Sequence, residues 1–179
     1  GGITDGRCVV SEFEVGVRTQ TPARSAFADG ATAGAGSLPH LDPVAAAAFS
    51  IGEFDIATIP TTPRRSHHEL MLGQALVGVK GVRLAADGSI IVDPAKVKPH
   101  ATVTTDIEHE AFTGMRSFLD LADKVRLDGA AVKWQFVGPV TLGVALHRGG
   151  LDRETAFDLA LSTVRDRLSA LSAVVTAGL

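Results

Sequence analysis

Two adjacent pairs of side chains are the first candidates for chemistry, Arg64-Arg65 and His67-His68, separated by one serine. A guanidinium grips a carboxylate or phosphate through two parallel N–H donors, so the arginines, Arg64 foremost, are candidates for holding an anionic substrate. Their alternative is a solvated loop. The two histidines make a poor metal site, because neighbours on a helix point about 100° apart and do not easily chelate one ion. His100 and His109 read as isolated and exposed. His40 stands two residues before Asp42 and is expected either to pair with it or to touch a ligand. Further on, Lys133 and Gln135 alternate with Trp134 and Phe136, so a strand there places the polar pair on one side. If that side is interior, both need hydrogen bonds or a ligand, which makes Gln135 a further binding candidate. Cys8 is the single cysteine. It permits neither an intramolecular disulfide nor a thiolate metal cluster from this chain, and it reads as inert in a reducing cytoplasm.

Composition narrows the setting for these groups. The chain has 179 residues, 45% hydrophobic and 21% charged, enough for one sizeable core. The net charge is −3 and the basic residues are dispersed rather than interleaved with aromatics, which argues against nucleic acid and anionic membrane as partners. The longest apolar run, Val44 to Phe49, falls far short of the ~20 residues that cross a bilayer. The opening Gly-Gly-Ile-Thr-Asp-Gly has no basic segment leading into an apolar one, so it does not read as a signal peptide.

The elements that must position the candidates alternate between strand and helix. Residues 1–30 read as an N-terminal arm, with a partial strand alternation over Val9 to Val17. "ATAGAGSLPH" reads as a small-residue strand and turn. The next run, "LDPVAAAAFSIG", is a helix with Asp42 as N-cap, Pro43 at its first position and Gly52 as its stop. "FDIATIP" is a second strand. Ser66 and Glu69 have capping-box spacing at the head of a helix over "SHHELMLGQALVGVKG", with Leu70, Ala75, Leu76 and Val79 facing inward. "RLAADGSIIVD" predicts a β-hairpin around Asp87-Gly88. A third helix spans "DIEHEAFTGMRSFLDLADKVR", with Ile107 and Phe118 on its apolar side. "AAVKWQFVGPVTL" predicts a third buried strand running into a Gly-Pro turn, where Gly138 and Pro139 meet a shape requirement. A long final helix follows from Asp152. Strands alternating with helices imply a parallel sheet.

At "GAGSLPHLDP" and again at "VKWQFVGPVTL" the sequence resembles the superfamily of cobalamin-independent methionine synthase and uroporphyrinogen decarboxylase. The first motif resembles its first barrel strand and loop, the second a later strand with a Gly-Pro-Val-Thr loop. The likeness covers about residues 31–179. It implies an α/β fold, the first half of an incomplete (β/α)8 TIM-type barrel with a hairpin insertion, and an active site at the carboxyl ends of the strands. It assigns Ser37 to holding a substrate carboxylate and puts ligands near Ser37, His40 and the Gly138-Pro139 turn.

In the synthases, zinc bound by two Cys, a His and a Glu activates a thiol for methyl transfer. Those ligands belong to the second half of the barrel, so no cofactor is expected on this chain, while zinc remains possible for the complete protein. The loop "ATIPTTPRRSHHELM" has Pro and Thr where the synthases carry an acidic substrate-binding residue. Val144 and Ala145 stand where a folate-stacking tryptophan is found.

The expected function is therefore that of a methyltransferase-like barrel fragment in methionine biosynthesis, acting on a small-molecule substrate. The alternatives are a metal-free decarboxylase-like barrel that binds a carboxylated substrate through arginines, and a non-catalytic half-barrel used for binding or assembly. A complete barrel takes roughly 250 residues. The chain is accordingly expected to stop before closure and to associate with a second copy or with the missing half.

Overall fold

The structure, a computed structural model, describes residues 8–10, 13–15, 30–127 and 130–179. Strands β1 (Cys8–Val10) and β2 (Phe13–Val15) pair antiparallel, with Val10 opposite Phe13. The rest of the arm lies outside the described residues.

Three parallel backbone segments form the centre. The first, residues 33–37, bridges the second at Ala33–Ile56 and at Ser37–Thr61. The second contains β3 (Ala57–Thr58), which pairs in parallel with β6 (Val132–Lys133), Ala57 opposite Val132. The Ile59 amide continues this ladder to the Lys133 carbonyl at 2.9 Å. The molecule is thus mixed α/β with small sheets. The predicted third buried strand is reduced to two half-buried residues. The predicted alternation holds: Trp134 and Phe136 pack on the apolar core, while Lys133 donates its Nζ to the Gly34 carbonyl at 2.5 Å.

Helix α1 (Pro43–Glu53) joins the first two segments and begins as expected, with Asp42 Oδ1 accepting the Val44 amide at 2.9 Å. It passes Gly52 and ends at Phe54, whose extended backbone breaks the helical path. Ser50, on its buried face, donates to the Thr58 carbonyl and accepts the Thr58 amide, which anchors α1 to β3.

The helix expected from Ser66 is two pieces, a 3-10 turn at His67–Glu69 and α2 (Met71–Leu76). Ser66 caps the turn by accepting the His68 amide, but Glu69 does not complete a capping box. Its buried carboxylate instead accepts the Thr62 amide at 2.7 Å and the Thr62 hydroxyl at 2.9 Å. A buried amide without an acceptor is costly, so this loop claims the side chain. Leu70 is extended and exposed rather than inward-facing, whereas Ala75, Leu76 and Val79 are buried as expected.

The hairpin forms where its sequence predicts, from β4 (Val82–Leu84) and β5 (Ile90–Val92). Gly88 at φ +83° supplies the left-handed turn residue, and Asp87 accepts the Ser89 amide at 2.9 Å. Helix α3 (Thr113–Val125) starts later than its pattern suggests, after a 3-10 turn at Glu110–Phe112, and Ile107 packs from the loop ahead of it.

Pro139–Arg148 is a helix, α4, not the tail of a strand. Gly138 is its N-cap and Pro139 its first residue, a combination proline's fixed φ favours as much as it favours a turn. After a four-residue connection α5 (Arg153–Gly178) begins, capped by Asp152 accepting the Thr155 amide at 3.0 Å. The two helices form a hairpin, with Gly143 against the Phe157 ring. Two apolar clusters result. One lies under α2, β4, α4 and the first half of α5; the other joins α1, β3, α3 and Leu171 on α5.

Candidate functional site

The register of the three parallel segments decides which candidates meet. Leu38 donates its amide to the Thr61 carbonyl at 2.9 Å, and Thr61 donates back to the Gly36 carbonyl at 2.9 Å. The Ser37 and Thr61 hydroxyls therefore lie 3.2 Å apart, exposed, at the carboxyl ends of their segments. Gly36 has φ +100°, a conformation that L side chains rarely adopt. A Cβ built on it would lie 3.6 Å from Gln135 Oε1, so Gln135 reaches across toward the first segment. Ser37, Thr61 and Gln135 thus share one end of the sheet. Thr61 carried no sequence signal of its own; only the pairing with Ser37 singles it out.

Gly138 follows three residues after Gln135 and opens α4. Its φ of −80° is ordinary, and a Cβ there would meet nothing within 4 Å, so the expected shape requirement is absent. Among the described residues no side chain caps this helix, which leaves its first N–H groups without a side-chain acceptor there.

Two candidates stand apart. The His40 ring lies against Phe49, centroids 5.4 Å apart, and its buried Nδ1 has no hydrogen-bond partner among the described residues. Asp42 is occupied as the α1 cap rather than paired with His40. Among the described residues, Arg64 is exposed and makes no hydrogen bond or ion pair, to Ser37 or to any other group. Its neighbour Arg65 is tied down, with Nε 3.0 Å and a terminal nitrogen 2.5 Å from Glu69 Oε1, and a further bond to the Glu110 carbonyl at 2.9 Å. The arginine pair is therefore split into one fastened member and one without a partner among the described residues.

The histidines also depart from expectation. Because His67 and His68 sit on a 3-10 turn rather than an α-helix, their rings lie 4.0 Å apart and only 36° from parallel. His109 is not isolated: its ring meets His68 edge-on at 5.4 Å, and its Nδ1 accepts the Ala111 amide at 3.1 Å. His100 is exposed as expected, 3.9 Å from Asp158. Among the described residues no three His, Cys, Asp or Glu side chains group so as to hold a metal ion. The described residues thus provide no ligand set for zinc, whose ligands the synthase resemblance assigns to the second half of the barrel.

Among the described residues no helix is long and apolar enough to cross a membrane. No protein-family model, curated protein or solved structure matches the chain.

Proposed function

We propose that this chain supplies the first strands of a (β/α)-barrel methyltransferase of the cobalamin-independent methionine synthase type, and that its sheet end anchors a carboxylate-bearing substrate. The observation that carries the reading is the parallel register that puts Ser37, Thr61 and Gln135 at one end of three segments. Parallel α/β sheets build ligand sites at the carboxyl ends of their strands. The exposed Ser37 and Thr61 hydroxyls and the Gln135 amide are hydrogen-bonding groups suited to a carboxylate and an amine. The uncapped start of α4 adds amide donors and the positive end of a helix dipole. These residues bind and orient. No step is assigned to zinc, for which the described residues provide no ligand set.

Calorimetric titration with homocysteine and with a methylated folate tests the reading. Binding of either ligand, weakened at least tenfold in the S37A/Q135A double variant, is the expected result. Binding unaffected by that variant, or no binding of either ligand, overturns it. One observation favours the decarboxylase-like alternative: Arg64 is exposed and unpartnered among the described residues, and suits a polycarboxylate. In the same titration that reading requires a polycarboxylated tetrapyrrole to bind and Arg64→Gln to weaken it.

A further inference from the structure

The loop after the second parallel segment, residues 62–69, is fastened from two sides. Glu69 holds it from within, through Thr62 and Arg65. Glu110, in the turn ahead of α3, holds it from across a gap of some forty residues in sequence. One Glu110 carboxylate oxygen accepts the Ser66 hydroxyl at 3.0 Å, and the other lies 3.5 Å from His68 Nε2. The Glu110 backbone carbonyl accepts Arg65. His68 thus sets an imidazole, a side chain whose charge changes between about pH 5 and 8, against the Glu110 carboxylate that fastens the loop.

Its surroundings set the direction of the response. The turn that bears it contributes His67, stacked at 4.0 Å, and Glu69, which is turned inward to Thr62 and Arg65. The facing turn contributes Glu110, and the residue before it, His109, meets His68 edge-on. Helix α2 packs on the same turn and carries no titratable side chain. His68 thus has one Glu110 carboxylate oxygen 3.5 Å away and two imidazole rings at 4.0 and 5.4 Å, so a proton it takes up gains a single ion pair while the rings keep water from its other side.

We propose that His67, His68, His109 and Glu110 form an acid-released latch on the loop that carries Arg64. Burial first, then His67 and His109, hold the His68 imidazole below its ordinary value of 6.5, with Glu110 opposing. A group whose folded-state pKa is lowered favours the closed loop fully above its ordinary value. That contribution is lost as pH falls through the lowered one. The latch rests on these contacts together with the direction of the His68 shift, and needs no ligand. Its consequence for a ligand at Arg64 rests on the decarboxylase-like alternative above.

Hydrogen exchange of the full chain between pH 7.5 and 5, expressed as protection relative to intrinsic exchange, tests the latch without any ligand. Protection over residues 62–69 should fall at least tenfold more than protection within α5. His68→Gln, which keeps a donor for Glu110 but cannot take up a proton, should remove most of that difference. Ring-proton NMR should show His68 titrating below 6.5. Protection that follows α5 at every pH, or an H68Q variant that responds like the wild type, overturns the proposal. If H68Q folds poorly, Glu110→Gln serves instead, and is expected to lower protection at neutral pH while steepening no acid response.

Discussion

Arg167 shows how much of this fold hangs on one side chain. Fully buried on α5, it donates to the backbone carbonyls of Val77 and Thr104 and to the Thr105 hydroxyl, the last two at 2.9 and 2.8 Å. Its guanidinium carbon sits 6.0 Å from the Phe112 ring centroid. Burial lowers its pKa to about 10, with the neighbouring Asp166 opposing, so the group is charged at neutral pH and is solvated by fixed dipoles. Those dipoles belong to the end of α2 and to the loop before α3, which Arg167 thereby ties to α5. Arg167→Met keeps much of the volume and orphans the carbonyls, each costing about 1–3 kcal/mol when buried without a donor. The variant is expected to unfold with a loss of about 3 kcal/mol in a urea titration, with an unchanged slope. A midpoint equal to the wild type's would show that the carbonyls find other donors.

The elements meet through close backbone approach as well as through side chains. At Gly114, in the first turn of α3, a Cβ would come 2.4 Å from the Pro60 carbonyl and 2.9 Å from Glu69 Oε2. The end of the second segment and the Glu69 anchor therefore press directly on this helix. Gly114→Ala must push them apart, at an expected cost of about 2 kcal/mol. Gly138→Ala is the comparison: it lies at another helix start, but in open space and at an ordinary φ, so it loses only the N-cap preference for glycine over alanine, about 0.5–1 kcal/mol. Thermal unfolding of both variants separates the two cases, and equal losses would refute the close-approach argument.

For the molecule as a whole, the sheet edges matter most. In the order first segment, β3, β6, the outer edges of residues 33–37 and of β6 pair with no strand among the described residues. Unpaired edge N–H and C=O groups recruit other chains. Leu41, Val140 and Leu161 are also strongly exposed, at 63%, 66% and 59%. The chain is therefore expected to associate, with a second copy or with a separate piece that continues the sheet, burying well over ~1,000 Å². Sedimentation velocity across a hundredfold concentration range should show species heavier than the monomer. A concentration-independent monomer with slowly exchanging amides along β6 would sink that expectation.

What the sequence determined by itself was whatever is settled within a few residues. The Asp42 and Asp152 caps, the Asp87-Gly88 hairpin and the alternation of Lys133 and Gln135 against Trp134 and Phe136 all hold, because a cap, a turn and a strand period are local. The Gly138-Pro139 step was ambiguous locally, since Gly-Pro suits a turn and a helix start equally; packing against α5 chose the helix. Contacts made at long range in sequence were not legible. Glu69 has capping-box spacing, yet the Thr62 amide, buried by the approach of α3, takes its carboxylate. His109 looked solitary until the turn ahead of α3 set it edge-on to His68. Ser37 was readable as a candidate, but its partner Thr61 and the reach of Gln135 to Gly36 exist only once parallel pairing fixes the register. Register is a property of three segments at once, and no single stretch of sequence contains it.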